Sequence, residues 1–132
     1  MLVDQFLPKP IRLSEIHSRC ARHIMAARIW CIISAAGQNP LPRMSECLGS
    51  QLAARRFGLL MATIDYVWPE RFEVGRPCCP CAGLDETLLI HAIKLAALNA
   101  RPQFDDMLRE MLSEDARNTL FIHARCLYLD GD

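Results

Sequence analysis

Three cysteines in four positions, Cys78, Cys79 and Cys81 of the segment RPCCPCAGLDE, are the densest concentration of reactive side chains in the chain. Cys78 and Cys81 form a C-x-x-C pair, and thiolates at that spacing can share one tetrahedral zinc or an iron. A structural zinc takes four ligands, so Cys78, Cys79 and Cys81 leave one position to fill. His91, about two turns into the helix that should follow, is the first choice, with His123 and Cys126 as alternatives. A redox role is the second possibility: the helix start just after Cys81 favours a thiolate there, and the carboxylates Asp85 and Glu86 oppose it. A cluster that only fills space ranks first, because the strong zinc signature is two C-x-x-C pairs and this chain has one. Zinc or iron is therefore the only cofactor suggested, and no other is implied.

The remaining candidates carry less. His17, Cys20 and His23 step by three along a helix and drift by about 60° each time, so they do not share one face. His17 and His23 should be solvated, or cap a surface that also carries Arg12, Arg19 and Arg22. His91 and His123 read as core-edge histidines, Cys20, Cys31 and Cys126 as small hydrophobes, and Asp105 and Asp106 as a solvated helix start. Dinucleotide, P-loop and Gly-x-Ser-x-Gly patterns are all missing, and no Ser-His, Cys-His or paired-carboxylate spacing makes a catalytic case. No catalytic residue is assigned, and the expectation is a protein that is not an enzyme.

The elements that must position these residues are helices. Ser14 caps a long first helix from about Glu15 to Ala36, closed by Gly37, with Ile16, Cys20, Ile24, Ala27 and Cys31 as its buried stripe. GQNPLPRM reads as a break, because its prolines remove amide donors. A second helix then runs from about Ser45 or Ser50 to Trp68. Phe57, Leu60, Ile64 and Val67 form one face; Arg55, Gly58, Ala62 and Asp65 form another, small enough for a further helix to come close. Pro69 to Gly83 is a long loop that holds the cysteines, with RFEV as its one candidate strand. Gly83, with Asp85 and Glu86 in the first turn, starts a third helix ending near Asn99; Pro102 to Leu112 forms a fourth, and Ser113 caps a fifth ending near Asp130. The fold class is all-α: one domain over residues 1–132, a bundle of about five helices with the Cys/Pro loop at 69–83 between its halves.

The 132 residues carry 15 Lys and Arg against 15 Asp and Glu, which excludes the basic field of a nucleic-acid binder. The balance is uneven along the chain: ten Lys/Arg against six Asp/Glu up to Arg76, then five against nine. Such halves attract, within one chain or between two. MLVDQFLPKP has no cationic and apolar leader pattern, and the most apolar segment, IMAARIWCIISAAG, is about fourteen residues with Arg28 inside it, too short to cross a bilayer. A cytoplasmic protein with reduced thiols, bound to neither membrane nor nucleic acid, is expected.

Thr87 to Ala92, TLLIHA, recurs 32 residues later as TLFIHA, Thr119 to Ala124. The offset is about that of a helix-hairpin repeat, and it places His91 and His123 at equivalent positions. The Cys-Cys-Pro segment, the capped helix beginning Asp85-Glu86 and the amphipathic helices after it resemble a family of uncharacterised small helical proteins from alphaproteobacteria. The likeness covers Val74 to the C-terminus. Those relatives carry three adjacent cysteines followed by Pro-Arg, where this chain reads Pro77, Cys78, Cys79, Pro80, Cys81, and the family brings no assigned activity. The sequence thus points to a cytosolic helical interaction or regulatory module, a homodimer with the capacity for a protein partner. The alternative is a metal-binding or redox-responsive thiol protein built on Cys78, Cys79 and Cys81.

Overall fold

Helical periodicity and end signals produce six α-helices among the described residues: α1 (Ser18–Ala35), α2 (Leu41–Leu48), α3 (Gln51–Val67), α4 (Leu84–Ala97), α5 (Arg101–Leu108) and α6 (Glu114–Cys126). The computed structural model describes residues 11–128. Two strands of two residues each, β1 (Ile11–Arg12) and β2 (Cys81–Ala82), pair antiparallel, Ile11 opposite Ala82 and Arg12 opposite Cys81. The fold is all-α, and among the described residues this clip is its only strand pairing. The expected ends of the domain, the stretch MLVDQFLPKP and a last helix reaching Asp130 fall wholly or partly outside the described residues.

The helix starts follow cap chemistry. Ser50 accepts a hydrogen bond from the Ala53 amide (3.0 Å) and Ser113 one from the Ala116 amide (3.2 Å), each satisfying an orphan donor of a first turn. Two expectations need correcting. Ser14 lies in a 3-10 turn, Leu13–Glu15, and α1 is instead capped by His17, whose Nδ1 accepts from the Arg19 amide at 3.1 Å. The proline segment breaks the chain only as far as Pro40 and then starts a helix: Pro40 occupies the N-cap of α2 and Pro42 its first turn, where a missing amide hydrogen costs nothing. This extra helix takes the count from five to six. RFEV forms no strand, although Phe72 within it is buried.

Neighbouring helices close a ring. α1 packs on α2, α2 on α3, α3 on α6, α6 on α4 and α4 back on α1, while α5 braces α4 and α6. Phe57, Leu60 and Ile64 of α3 lie at the centre with Leu89 and Ile93 of α4, Phe104 of α5 and Leu120 of α6. Gly58 faces α2: a Cβ there would sit 3.4 Å from the Leu41 side chain, so a further helix does come close at Gly58, while Arg55, Ala62 and Asp65 are exposed. A smaller cluster of Ile24, Ala82 and Ile90 lies under the β clip. The two copies of the repeat pack α4 against α6, and Thr87 and Thr119 each donate to the carbonyl four residues back (2.8 and 3.1 Å). They differ where it counts for the surface: Ile90 is buried and its counterpart Ile122 is 60% exposed.

Candidate functional site

The buried residues of α1 lie in its middle, from His23 to Arg28, and its end is not enclosed as its apolar sequence suggests; the single charge in the apolar run, Arg28, falls in that buried middle. Arg28 and Glu86 are both wholly buried. A buried guanidinium must be paired and must place its N–H groups, because an ion taken from water without compensation costs several kcal/mol. All five donors of Arg28 are used. Nε donates to Glu86 Oε2 at 2.6 Å and Nη2 to Oε1 at 3.0 Å. Nη1 also donates to the carbonyls of Arg76 (3.0 Å) and Cys79 (2.8 Å), and Nη2 to that of Cys81 (2.9 Å). Glu86 is satisfied in turn: Oε1 accepts from the Gly83 amide at 2.8 Å and Oε2 from the Gly75 amide at 3.1 Å.

The long loop is therefore wound around one ion pair. Glu86 reaches back to the amide before its own helix, as a capping-box glutamate does, and simultaneously holds Gly75 eleven residues upstream. Burial by itself would push the Glu86 carboxyl up; the Arg28 guanidinium and the Gly83 and Gly75 amides outweigh it and hold the carboxyl below its ordinary value. The same carboxylate keeps Arg28 more firmly protonated than usual. Gly75 is small because a Cβ there would meet Arg28 Nη2 at 2.9 Å, and that nitrogen is pinned. Further ties complete the loop: Glu73 N to Asp85 Oδ2 (2.8 Å), Cys79 N to Arg76 O (2.8 Å) and Leu13 N to Pro80 O (2.7 Å).

In this arrangement the cysteine segment contributes carbonyl oxygens. Cys78 is exposed, Cys79 and Cys81 are half-buried, and the Cys79 thiol donates weakly to the Cys81 carbonyl at 3.4 Å. His91 is exposed on α4. Among the described residues no three His, Cys, Asp or Glu side chains converge as a metal would require, so Cys78, Cys79, Cys81 and His91 are not gathered into a ligand set. All seven cysteines are free thiols. Burial pushes Cys31 up to about 11, with Asp65 adding to it, and burial also raises Cys47, which makes both poor nucleophiles.

The expected result of replacing Cys78, Cys79 and Cys81 together with Ser is a stability change of at most about 1–2 kcal/mol, because the backbone oxygens that hold Arg28 remain. Thermal unfolding under reducing conditions checks it. A fall on adding chelator to the wild type, missing in the triple variant, would give the thiols a metal after all.

Two other expectations change. His23 is buried, 8% exposed, and not solvated. Asp105 does not belong to a solvated helix start: its Oδ1 accepts from Arg101 Nε (2.9 Å) and Arg117 Nε (3.0 Å), tying α5 to α6. Asp106 is exposed and pairs with Arg109. Sequence reading missed the Arg28–Glu86 pair, although both of its signals were present: a lone arginine in an apolar helical run, and a glutamate at the third position of a glycine-capped helix. Comparison of the chain with models of known families, with curated proteins and with solved structures finds no match.

Proposed function

We propose that this chain is a non-enzymatic interaction module of the cytoplasm that acts by self-association, with α3 as its contact helix. One observation carries the reading. Leu52, Leu59 and Tyr66 on α3 are 48, 57 and 90% exposed and stand seven residues apart, the spacing at which a straight seam of apolar side chains meets a second helix. A groove of about 560 Å³ beside them, lined by Leu59, Thr63, Tyr66, Met111, Ala116 and Thr119, continues the surface onto α6, where Ile122 lies exposed one turn beyond Thr119.

Charge favours a second copy of the chain as the occupant. Arg55 lies four positions before Leu59 and Asp65 six after it, about 6 and 9 Å along the helix. Neither is in an ion pair among the described residues. Two α3 helices packed antiparallel about Leu59 bring each Arg55 to within about 3 Å, along the axis, of the other chain's Asp65. Leu52 then faces Tyr66. Seven free thiols, an odd number, accord with a reducing compartment.

Sedimentation at tens of micromolar should find a dimer. Leu59→Asp should weaken it at least about thirtyfold, the loss of a central anchor. Arg55→Glu should weaken it also, and Arg55→Glu combined with Asp65→Arg should restore it. A wild type that stays monomeric, or a charge swap that rescues nothing, would sink the arrangement.

A further inference from the structure

A concave surface of different chemistry lies between α1 and α3. A cavity of about 290 Å³ is walled by Arg22 and His23 of α1, with Leu48, Phe57, Leu127 and Tyr128. Among the described residues no carboxylate lines it. Arg19 also borders the cavity but is committed to Tyr128: its guanidinium lies over the ring at 5.3 Å and hydrogen-bonds the phenol oxygen. It serves as wall. Arg22 is exposed, and its guanidinium makes no hydrogen bond or ion pair among the described residues.

His23 independently points to a ligand. Its ring is held on both sides, stacked on Phe57 at 5.5 Å and 18° and set edge-on to Tyr128 at 6.4 Å, yet its imidazole makes no hydrogen bond among the described residues. Every wholly enclosed side-chain nitrogen and oxygen there has a partner. The nitrogens of His23 therefore reach open space, and the space that the ring borders is this cavity. A polar edge that is nine-tenths buried, fixed in direction and without a protein partner calls for one from outside. Burial, with Arg19 and Arg22, lowers the imidazole to about 4. At pH 7 the ring is neutral and presents one N–H and one lone pair.

We infer that the cavity binds a carboxylate, held by the guanidinium fork of Arg22 with the His23 imidazole as a third donor, its apolar body against Phe57, Leu48 and Leu127. A guanidinium gives two parallel N–H groups that match the two oxygens of a carboxylate, and a lone pair left on one of them accepts from His23. A phosphate dianion, with three terminal oxygens, is left short of donors here. A neutral ligand leaves the Arg22 charge unanswered. The volume is at the lower limit for ligand pockets, so the body is one small ring or branched chain. Two sources offer this chemistry: a free aryl or alkyl carboxylate, or the chain itself, whose sequence continues from Tyr128 with Leu129, Asp130, Gly131 and Asp132. The inference does not depend on self-association, which uses the Leu59-bearing side of α3.

Titration of the full chain at pH 7 and low salt with phenylacetate and with its uncharged analogue 2-phenylethanol, followed by the His23 imidazole resonances, tests it. The wild type is compared with the double variant Asp130→Asn, Asp132→Asn. Phenylacetate should saturate and bind at least about tenfold more tightly than the alcohol. Equal affinity in the two proteins assigns the site to a free acid; an affinity at least about tenfold higher in the double variant assigns it to the chain's own aspartates. In whichever protein binds, Arg22→Ala should weaken binding about tenfold and Arg22→Lys, which keeps the charge and lacks the fork, at least about threefold, whereas Arg109→Ala on α5 should change nothing. No saturation by tens of millimolar in either protein, equal affinity for the alcohol, or unchanged binding in Arg22→Ala would each overturn it.

Discussion

Glu86→Gln should destabilise the fold by about 3–5 kcal/mol, the usual cost of removing one partner from a buried ion pair. The glutamine is nearly isosteric, so the loss is not a cavity: it leaves the Arg28 charge enclosed, and it places an amide NH₂ where an oxygen must accept from either Gly83 or Gly75. Arg28→Met should cost at least as much by a different route. It takes the donors from the part-buried carbonyls of Arg76, Cys79 and Cys81 and leaves the Glu86 carboxylate enclosed without its counter-ion.

The double variant separates a pair from a lock. Where two buried charges serve only each other, replacing both by apolar groups is often neutral. Here three carbonyls and two amides depend on them as well, so Arg28→Met with Glu86→Leu should remain about 2 kcal/mol or more below wild type. Urea unfolding monitored by circular dichroism gives all three numbers. A Glu86→Gln loss under about 1 kcal/mol, or full recovery in the double variant, would show that the loop is held by something else. The pair also joins the basic first part of the chain to the acidic second part, so the attraction expected between those halves has at least one buried contact within a single chain.

What could be read in advance divides by range. Caps and stripes are local, and Ser50, Gly83, Ser113 and the Phe57–Leu60–Ile64 face all stand as periodicity and cap chemistry require. Proline misled at Pro40 and Pro42, because the same residue ends one helix and opens the next, and only the register of Met44 against the core decides between them. The site was legible as a location but not as chemistry. Thiols dominate RPCCPCAGLDE to the eye, whereas its backbone oxygens bind Arg28, and any residue except the space-limited Gly75 presents the same carbonyl. The partner of those oxygens lies about fifty positions upstream, a pairing that no window of helical periodicity spans. His23 was misplaced for a related reason: its neighbours Arg19 and Arg22 signal solvent on one helix, while Phe57 and Tyr128, which bury it, come from elsewhere.

That burial should make the protein lose stability well above the pH at which carboxylates protonate. His23 is lowered from an ordinary 6.5 to about 4, first by burial and then by Arg19 and Arg22; Tyr128 is the other titratable group facing the ring. Between those two values the unfolded chain binds a proton at this position and the folded chain does not. Stability therefore rises with pH across the window and falls by up to about 3 kcal/mol on acidification from 6.5 to 4, at about 1.4 kcal/mol per unit. Glu86 acts later, with a shift in the same direction but caused by its partners and not by burial. Its folded value is depressed, so its contribution is whole above its ordinary 4.5 and is lost as pH falls from there through that lower value. Acid unfolding should accordingly show two stages, the first removed by His23→Gln and the second by Glu86→Gln. A stability curve flat from pH 6.5 to 4.5 in the wild type would mean that the imidazole is already protonated in the native fold, and that burial between Phe57 and Tyr128 does not hold it neutral.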